Sequence, residues 1–331
     1  MMEYAELADG EISASRLSFG TMRLDVDPED AATWNEAERA LHAAIEGGVN
    51  VVHSNSSWPT YPATCGLLAK HPRRGELHHI IKVESPDYDD AHFEPKVFRE
   101  QVENALRSLS TERIAVVQHL QRGPHCPKEM AYSAAGDPRR IAALPEIAEQ
   151  VQEVATELKA AGKIGEVATF PHTVGFARSA IEEDVYGSVV HFYSILEPEM
   201  VPLLDDLAAR GKSLIGLRPL TQGMTTDSRF PRQSIEPGDK RLSDRYARWY
   251  ERLAAVAPLL ADQDGSLTSV ALRWAVTHPA VATVAVSMNN VSQVEDALAA
   301  MDAGPLDRSL VTAVHAKVAE LPPLGKETLF G

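Results

Sequence analysis

Cysteine is nearly absent from this 331-residue chain, which has only Cys65 and Cys126, without CxxC or Cys/His ligand spacing. That excludes a disulfide scaffold, gives no sequence support for a metal centre, and makes a reduced, cytoplasmic protein the natural reading. Cys126 stands in a Pro/Gly-rich stretch near His119 and reads as a bystander thiol. Basic residues are also in deficit, with 32 Lys+Arg against 47 Asp+Glu and a formal charge of -15. Such a surface argues against nucleic-acid backbones and anionic membranes as partners. No window approaches ~18 uninterrupted apolar residues, so no membrane span is expected. The acidic opening MMEYAELADGEIS has no apolar stretch of the kind a signal peptide needs.

What is there is ordinary core-forming composition, 44% hydrophobic and 24% charged. Short apolar runs alternate with helical patterns along nearly the whole length. The strand candidates are Leu17-Met22, Val49-Ser54, His79-Val83 and Ile114-His119, then Gly165-Thr169, Val189-Tyr193, Ser213-Leu217 and Thr283-Val286. Between them, Ala37-Glu46, Pro95-Leu109, Ile147-Ala161 and Met200-Arg210 carry apolar stripes at helical spacing, two of them running into Gly162 and Gly211 as C-caps. Strands alternating with helices of this length imply βαβ units and a parallel sheet, and eight such units imply a closed (β/α)8 TIM barrel. The whole chain, 1–331, reads as one barrel domain. Two long polar stretches, at about 121–140 and 225–244, follow strands and read as rim loops.

The C-terminal strand ends of such a barrel share one rim, where chemistry is done. Three residues able to move protons stand at successive strand ends: His53, Lys82 and His119. A lysine ending an apolar strand is costly unless paired or used. Glu84, two residues on and on the same face, is a candidate partner. Without that partner, burial and neighbouring positive charge would lower the Lys82 pKa and make it a candidate base. Imidazole is a competent acid near pH 7, so His53 or His119 is the expected proton donor. His53, His119 and His191 end different strands, but no spacing supports a metal site among them.

The order of short motifs resembles the aldo/keto reductase superfamily over roughly Ile12 to Ala300. ISASRLSFGTM at 12–22 resembles the family's opening hairpin and first strand, and Gly48-Val49-Asn50-Val51-Val52 the run before its catalytic Asp. Gly162-Lys163-Ile164 resembles the approach to strand five, and Arg218-Pro219-Leu220 with Gln222-Gly223 the cofactor segment after strand seven. Ala271-Leu272-Arg273-Trp274 and Gln293-Val294-Glu295 resemble the C-terminal signature.

The resemblance implies a tetrad of Asp, Tyr, Lys and His, in which the Tyr donates a proton to the carbonyl oxygen as NADPH delivers hydride. Lys82 and His119 fall on the Lys and His positions, whereas His53 stands for the Asp and Trp58 for the Tyr. An indole N–H cannot act as a general acid near neutral pH. Tyr61 lies three residues past Trp58, and Trp58, Tyr61 and His191 are the expected walls of a substrate pocket.

On the cofactor side the resemblance assigns Arg218, Leu220, Gln222, Ser287 and Asn289. The Ser-Asn after strand five is Phe170-Pro171 here, and the late Asn of the last signature helix is Ala297. NADP(H) is thus the implied cofactor, with a thinned grip on its adenosine phosphate. The resulting expectation is a divergent enzyme acting on a small carbonyl-type metabolite at the C-terminal barrel face, with Tyr-dependent NADPH reduction impaired. It would be either an unorthodox oxidoreductase or a repurposed lyase, isomerase or dehydratase. The alternative is an inactive pseudoenzyme serving as a binding or regulatory subunit. A small-molecule ligand is the expected partner, and a homo-oligomer stays open.

Overall fold

The computed structural model describes residues 2–27, 29–87, 90, 92–122 and 133–324. A two-stranded antiparallel hairpin, β1 (Tyr4–Leu7) and β2 (Ile12–Ser15), precedes the barrel. The barrel strands are β3 (Leu17–Gly20), β4 (Val51–Ser54), β5 (His78–Glu84), β6 (Ile114–Leu120), β7 (Ile164–Thr169), β8 (Tyr186–Phe192), β9 (Ser213–Leu217) and β10 (Val281–Val286). They pair in parallel in chain order, and β10 closes the ring by pairing with both β9 and β3.

Helices return the chain between strands: α1 (Ala31–Glu46), α2 (Tyr61–Lys70), α3 (Pro95–Leu109), α4 (Asp137–Ala160), α5 (Val174–Ala180) and α6 (Leu204–Ala209). Two more, α7 (Ala247–Leu260) and α8 (Leu267–Ala275), lie between β9 and β10, and α9 (Val291–Asp302) and α10 (Arg308–Ala319) follow.

The strand pleat explains the layers. Consecutive residues point to opposite faces, and here they divide between two apolar clusters. Val51, Ile80, Val116, Ala168, Val190 and Ile215 fill the inside of the barrel. Their neighbours Val52, Ile81, Val117, Val167, Val189 and Leu214 pack outward against the helices. Leu7, Ala8, Ile12 and Ala14 of the hairpin join the inner cluster, so the hairpin plugs the barrel at the N-terminal ends of its strands. Its seat is polar as well, since the Ser15 N–H donates to Asn50 Oδ1 at 2.8 Å and the Ala8 N–H to Glu166 Oε2 at 2.8 Å.

Some expectations need correction, among them the end of β3, at Gly20 rather than Met22, and the bounds of β8, Tyr186–Phe192 rather than Val189-Tyr193. Residues 137–140 are not rim loop but the first turn of α4, where Pro138 suits the first turn and Arg140 is buried, donating to the Pro171 carbonyl at 2.7 Å. The helix expected over Met200-Arg210 is a 3-10 turn, Val201–Leu203, followed by the short α6. Strand β6 runs one residue further than expected, to Leu120. Cys126 and most of the 121–140 stretch lie outside the described residues. Gly162 and Gly211 do end their helical segments with positive φ, +70° and +68°.

Candidate functional site

A cleft of about 710 Å³ opens at the C-terminal ends of the strands. Gly20, Met22, Arg23, His53, Trp58 and Phe192 are among the residues that line it. A Cβ on Gly20 would lie 3.2 Å from the Val286 carbonyl carbon, so a glycine lets β3 and β10 approach closely here. One wall is the segment after β9, from Leu217 to Gly223, with Arg229 and Arg241 of the 225–244 loop. The facing wall includes Ser287, Asn289, Gln293, Asp296 and Ala297, after β10 and on α9.

Of the residues that sequence placed at the rim, His53 and Trp58 line this space and Lys82 points inward beside it. His53, at the inner face of β4, is buried and donates from Nε2 to Gln118 Oε1 at 2.7 Å. Its ring lies edge-on to Trp58, with centroids 5.4 Å apart. Burial, opposed by the Gln118 bond and reinforced by the charge of Lys82, drops the His53 pKa to about 4. His53 is therefore a neutral imidazole at pH 7. The expectation of a cationic acid there fails, because the desolvation that hides it also discharges it.

Lys82 is inward on β5, opposite Gln118 in register. Its ammonium is paired with Glu84, whose other oxygen takes Arg122 Nη1 at 3.0 Å; Arg122 reaches Asp87 at 3.3 Å. Burial lowers the Lys82 pKa, with Glu84 pulling the other way. The lysine is thus held in a chain of ion pairs and does not line the cleft.

His119, Tyr61 and His191 are elsewhere. His119 is on the outer face of β6, fully buried, packed against Phe93 and Phe98, with Nε2 bonded to the Ser85 carbonyl at 2.6 Å and Nδ1 to Tyr186 Oη at 3.0 Å. Burial, partly offset by the Ser85 bond, lowers its pKa to about 4. The expected convergence of His53, Lys82 and His119 does not occur. The residue facing inward beside Lys82 is Gln118, which shares the pleat phase of Val116 and Leu120; that period-two phase was the available signal. Tyr61 opens α2 and bonds Ser108 on α3 at 2.6 Å, away from the cleft, and burial raises its pKa to about 12. On β8, Phe192 reaches the cleft; His191 points the other way, its Nδ1 on the Phe192 carbonyl at 2.9 Å.

The residues assigned to the cofactor do share one space: Arg218, Leu220, Gln222, Ser287 and Asn289 all line the cleft. The turn after β9 is unusual, with left-handed backbone at Arg218 (φ 47°), Thr221 (φ 45°) and Gln222 (φ 57°). Such non-glycine conformations persist only where the surroundings over-determine them. Arg218 is fixed by the buried Glu197, Nε to Oε2 at 2.9 Å, and its guanidinium lies 3.6 Å over the Phe192 ring. Thr221 Oγ1 donates to Ser194 Oγ at 2.8 Å, and Arg241 donates to the Gln222 carbonyl at 2.8 and 3.1 Å.

Arg23 Nη2 donates to the Gln222 side chain at 3.3 Å. Its burial, together with the charges of Arg241, Arg218 and Arg245 and against Tyr246, lowers its pKa. In a chain of net charge -15, guanidiniums gather along one wall of the cleft, Arg218 paired with Glu197 and Arg229 and Arg241 with Asp239. Among the described residues no group of three metal-ligating side chains is found, and no helix is long and apolar enough to cross a membrane.

Solved structures share this architecture. Aldo-keto reductase AKR11C1 from Bacillus halodurans superposes with a TM-score of 0.71 in its holo form and 0.69 in its apo form, at 21% identity over 96% of each chain. The glycerol dehydrogenase AKR11B4 from Gluconobacter oxydans gives 0.68 at 16% identity over 98% of each chain. No curated protein matches. The family model described as the aldo/keto reductase family matches residues 16–319, the whole barrel and the last helices, and this chain belongs to that family.

Proposed function

We propose that this protein binds a nicotinamide dinucleotide along the cleft and a small carbonyl-type metabolite at its mouth, as a divergent oxidoreductase in which tyrosine-dependent reduction is impaired. Aldo/keto reductases are generally oxidoreductases, so the coarse class follows from the family. The finer reading rests on one contrast within a single space. The wall after β9 offers Arg218, Arg241 and the Gln222 turn to a diphosphate, while the cleft lining contains neither tyrosine nor lysine among the described residues.

The cleft residues fit such a cofactor by their donor set, guanidiniums on a turn held in a left-handed path. When bound, the dinucleotide supplies a hydride. The chain's own part is to orient the carbonyl between Trp58 and Phe192 and to exclude water. Neither nearby ring is suited to complete the proton transfer at pH 7: the indole has no accessible ionisation, and the His53 imidazole carries no spare positive charge.

The Lys82–Glu84–Arg122–Asp87 chain favours a second reading, a binding or regulatory subunit, because it ties up Lys82, which points inward beside the site. Titration of the protein with reduced dinucleotide, followed by nicotinamide fluorescence, tests the reading. Saturable enhancement that weakens in Arg218→Ala is expected. No binding at millimolar dinucleotide would remove the redox assignment and leave a non-redox enzyme or a scaffold.

A further inference from the structure

Resting on the dinucleotide reading, we propose that this cleft selects a dinucleotide whose adenosine ribose carries a free 2′-hydroxyl, and rejects its 2′-phosphorylated counterpart. With the reacting end at His53 and Trp58 and the diphosphate on the arginine wall, the rest of the lining, Thr268 and Leu272 of α8 and Gln293, Asp296 and Ala297 of α9, is left for the ribose. That far end is built from acids and neutral groups.

The helix N-termini there are already occupied. Ser266 caps α8, accepting from the Ser269 N–H at 3.1 Å, and Asp227 accepts from the Leu267 N–H at 2.9 Å and from Thr268 Oγ1 at 3.3 Å. Asn290 caps α9, accepting from the Gln293 N–H at 2.9 Å, and Glu36 accepts from the Val291 N–H at 3.4 Å. Backbone amides that could have received a phosphate therefore face protein oxygens, two of them carboxylates.

The side chains nearest by are spoken for or repulsive. Gln293 Oε1 accepts from the Asn289 N–H at 2.7 Å, and Asn289 Oδ1 accepts from the Asp25 N–H at 3.0 Å. Asp296, one turn along the same face of α9, is exposed and lines the cleft. Arg229 and Arg241, on the loop at 225–244 rather than on α8 or α9, share the Asp239 carboxylate at 2.8 and 3.1 Å, which balances part of their charge. A 2′-phosphate needs charge-assisted donors, whereas a ribose hydroxyl is satisfied by a carboxylate acceptor.

Calorimetric titration of the full chain with NADH and with NADPH, at low and high salt, tests this through binding alone. NADH is expected to bind about tenfold or more tighter, with the gap narrowing as salt screens the carboxylates. Asp296→Lys, a change on an exposed helix face, should strengthen NADPH binding by about tenfold or more while shifting NADH far less. Equal or tighter binding of NADPH by the unmodified protein, or an Asp296→Lys variant with unchanged preference, would overturn the inference and leave the dinucleotide reading intact. Failure of both nucleotides to bind would overturn both.

Discussion

Gln118 and His119 sit side by side on β6 and point to opposite sides of the barrel wall. Gln118 faces inward and takes the His53 proton donor; His119 faces outward and bridges the Ser85 carbonyl and the Tyr186 hydroxyl. A buried imidazole with both nitrogens satisfied is a structural part, worth its hydrogen bonds and its packing on Phe93 and Phe98. His119→Phe should cost about 1–3 kcal/mol in denaturant unfolding, since it strands a carbonyl and a phenol. Dinucleotide affinity should stay within about twofold, because the cleft is on the other face. A large loss of affinity with unchanged stability would show that His119 acts at the site after all.

The same pair shows where residue-scale reading stopped. An abrupt change from apolar to polar marks a strand end, but not which of two polar neighbours turns inward; only the phase of Val116 and Leu120 does that. The Lys82–Glu84 pair was legible because residues two apart in a strand share a face. Tyr61 was not legible as remote from the site, since its direction depends on the turn from Asn55 to Trp58 that launches α2.

At the scale of elements, the plug hairpin holds a buried acid. Glu166, inward on β7, accepts from the Ala8 N–H and from the Ser188 hydroxyl, and burial, opposed by the Ala8 bond, lifts its pKa to about 7. A carboxyl raised in the folded state binds its proton more tightly there than in the unfolded chain. Stability is then greatest below the unfolded value near 4.5 and is lost as pH rises towards 7. The loss amounts to roughly 3 kcal/mol for a shift of this size. Glu166→Gln imitates the protonated form, so the difference between variant and parent should grow in the variant's favour from pH 5 to pH 8. Urea unfolding at several pH values checks this, and a difference that does not change with pH would contradict it.

The barrel strands were readable as apolar runs of regular spacing, and so was the closure into a ring. The first hairpin strand, Tyr4–Leu7, was not. It has a single buried residue, Leu7, and owes its place to the barrel floor rather than to any pattern of its own.

For the molecule as a whole, an acidic surface surrounds a cleft that gathers arginine on one wall and keeps the other neutral or acidic. The segments that the resemblance assigns to a cofactor could be read as neighbours because the family spacing places them after β9 and β10, where the barrel brings them to one space. Which proton donor remains was not legible, because the pKa of His53 is set by burial that only the packed barrel creates.

The most direct measurement is steady-state reduction of 4-nitrobenzaldehyde with saturating reduced dinucleotide, in the parent protein and in the double variant His53→Asp, Trp58→Tyr. The parent should turn over far below ~1 s⁻¹, the lower end of ordinary enzymes. The double variant should gain about tenfold or more, part of the ~10²–10⁴-fold that a positioned acid contributes. A parent turnover number near or above ~1 s⁻¹ would contradict the claim that the cleft binds its cofactor without an efficient proton donor.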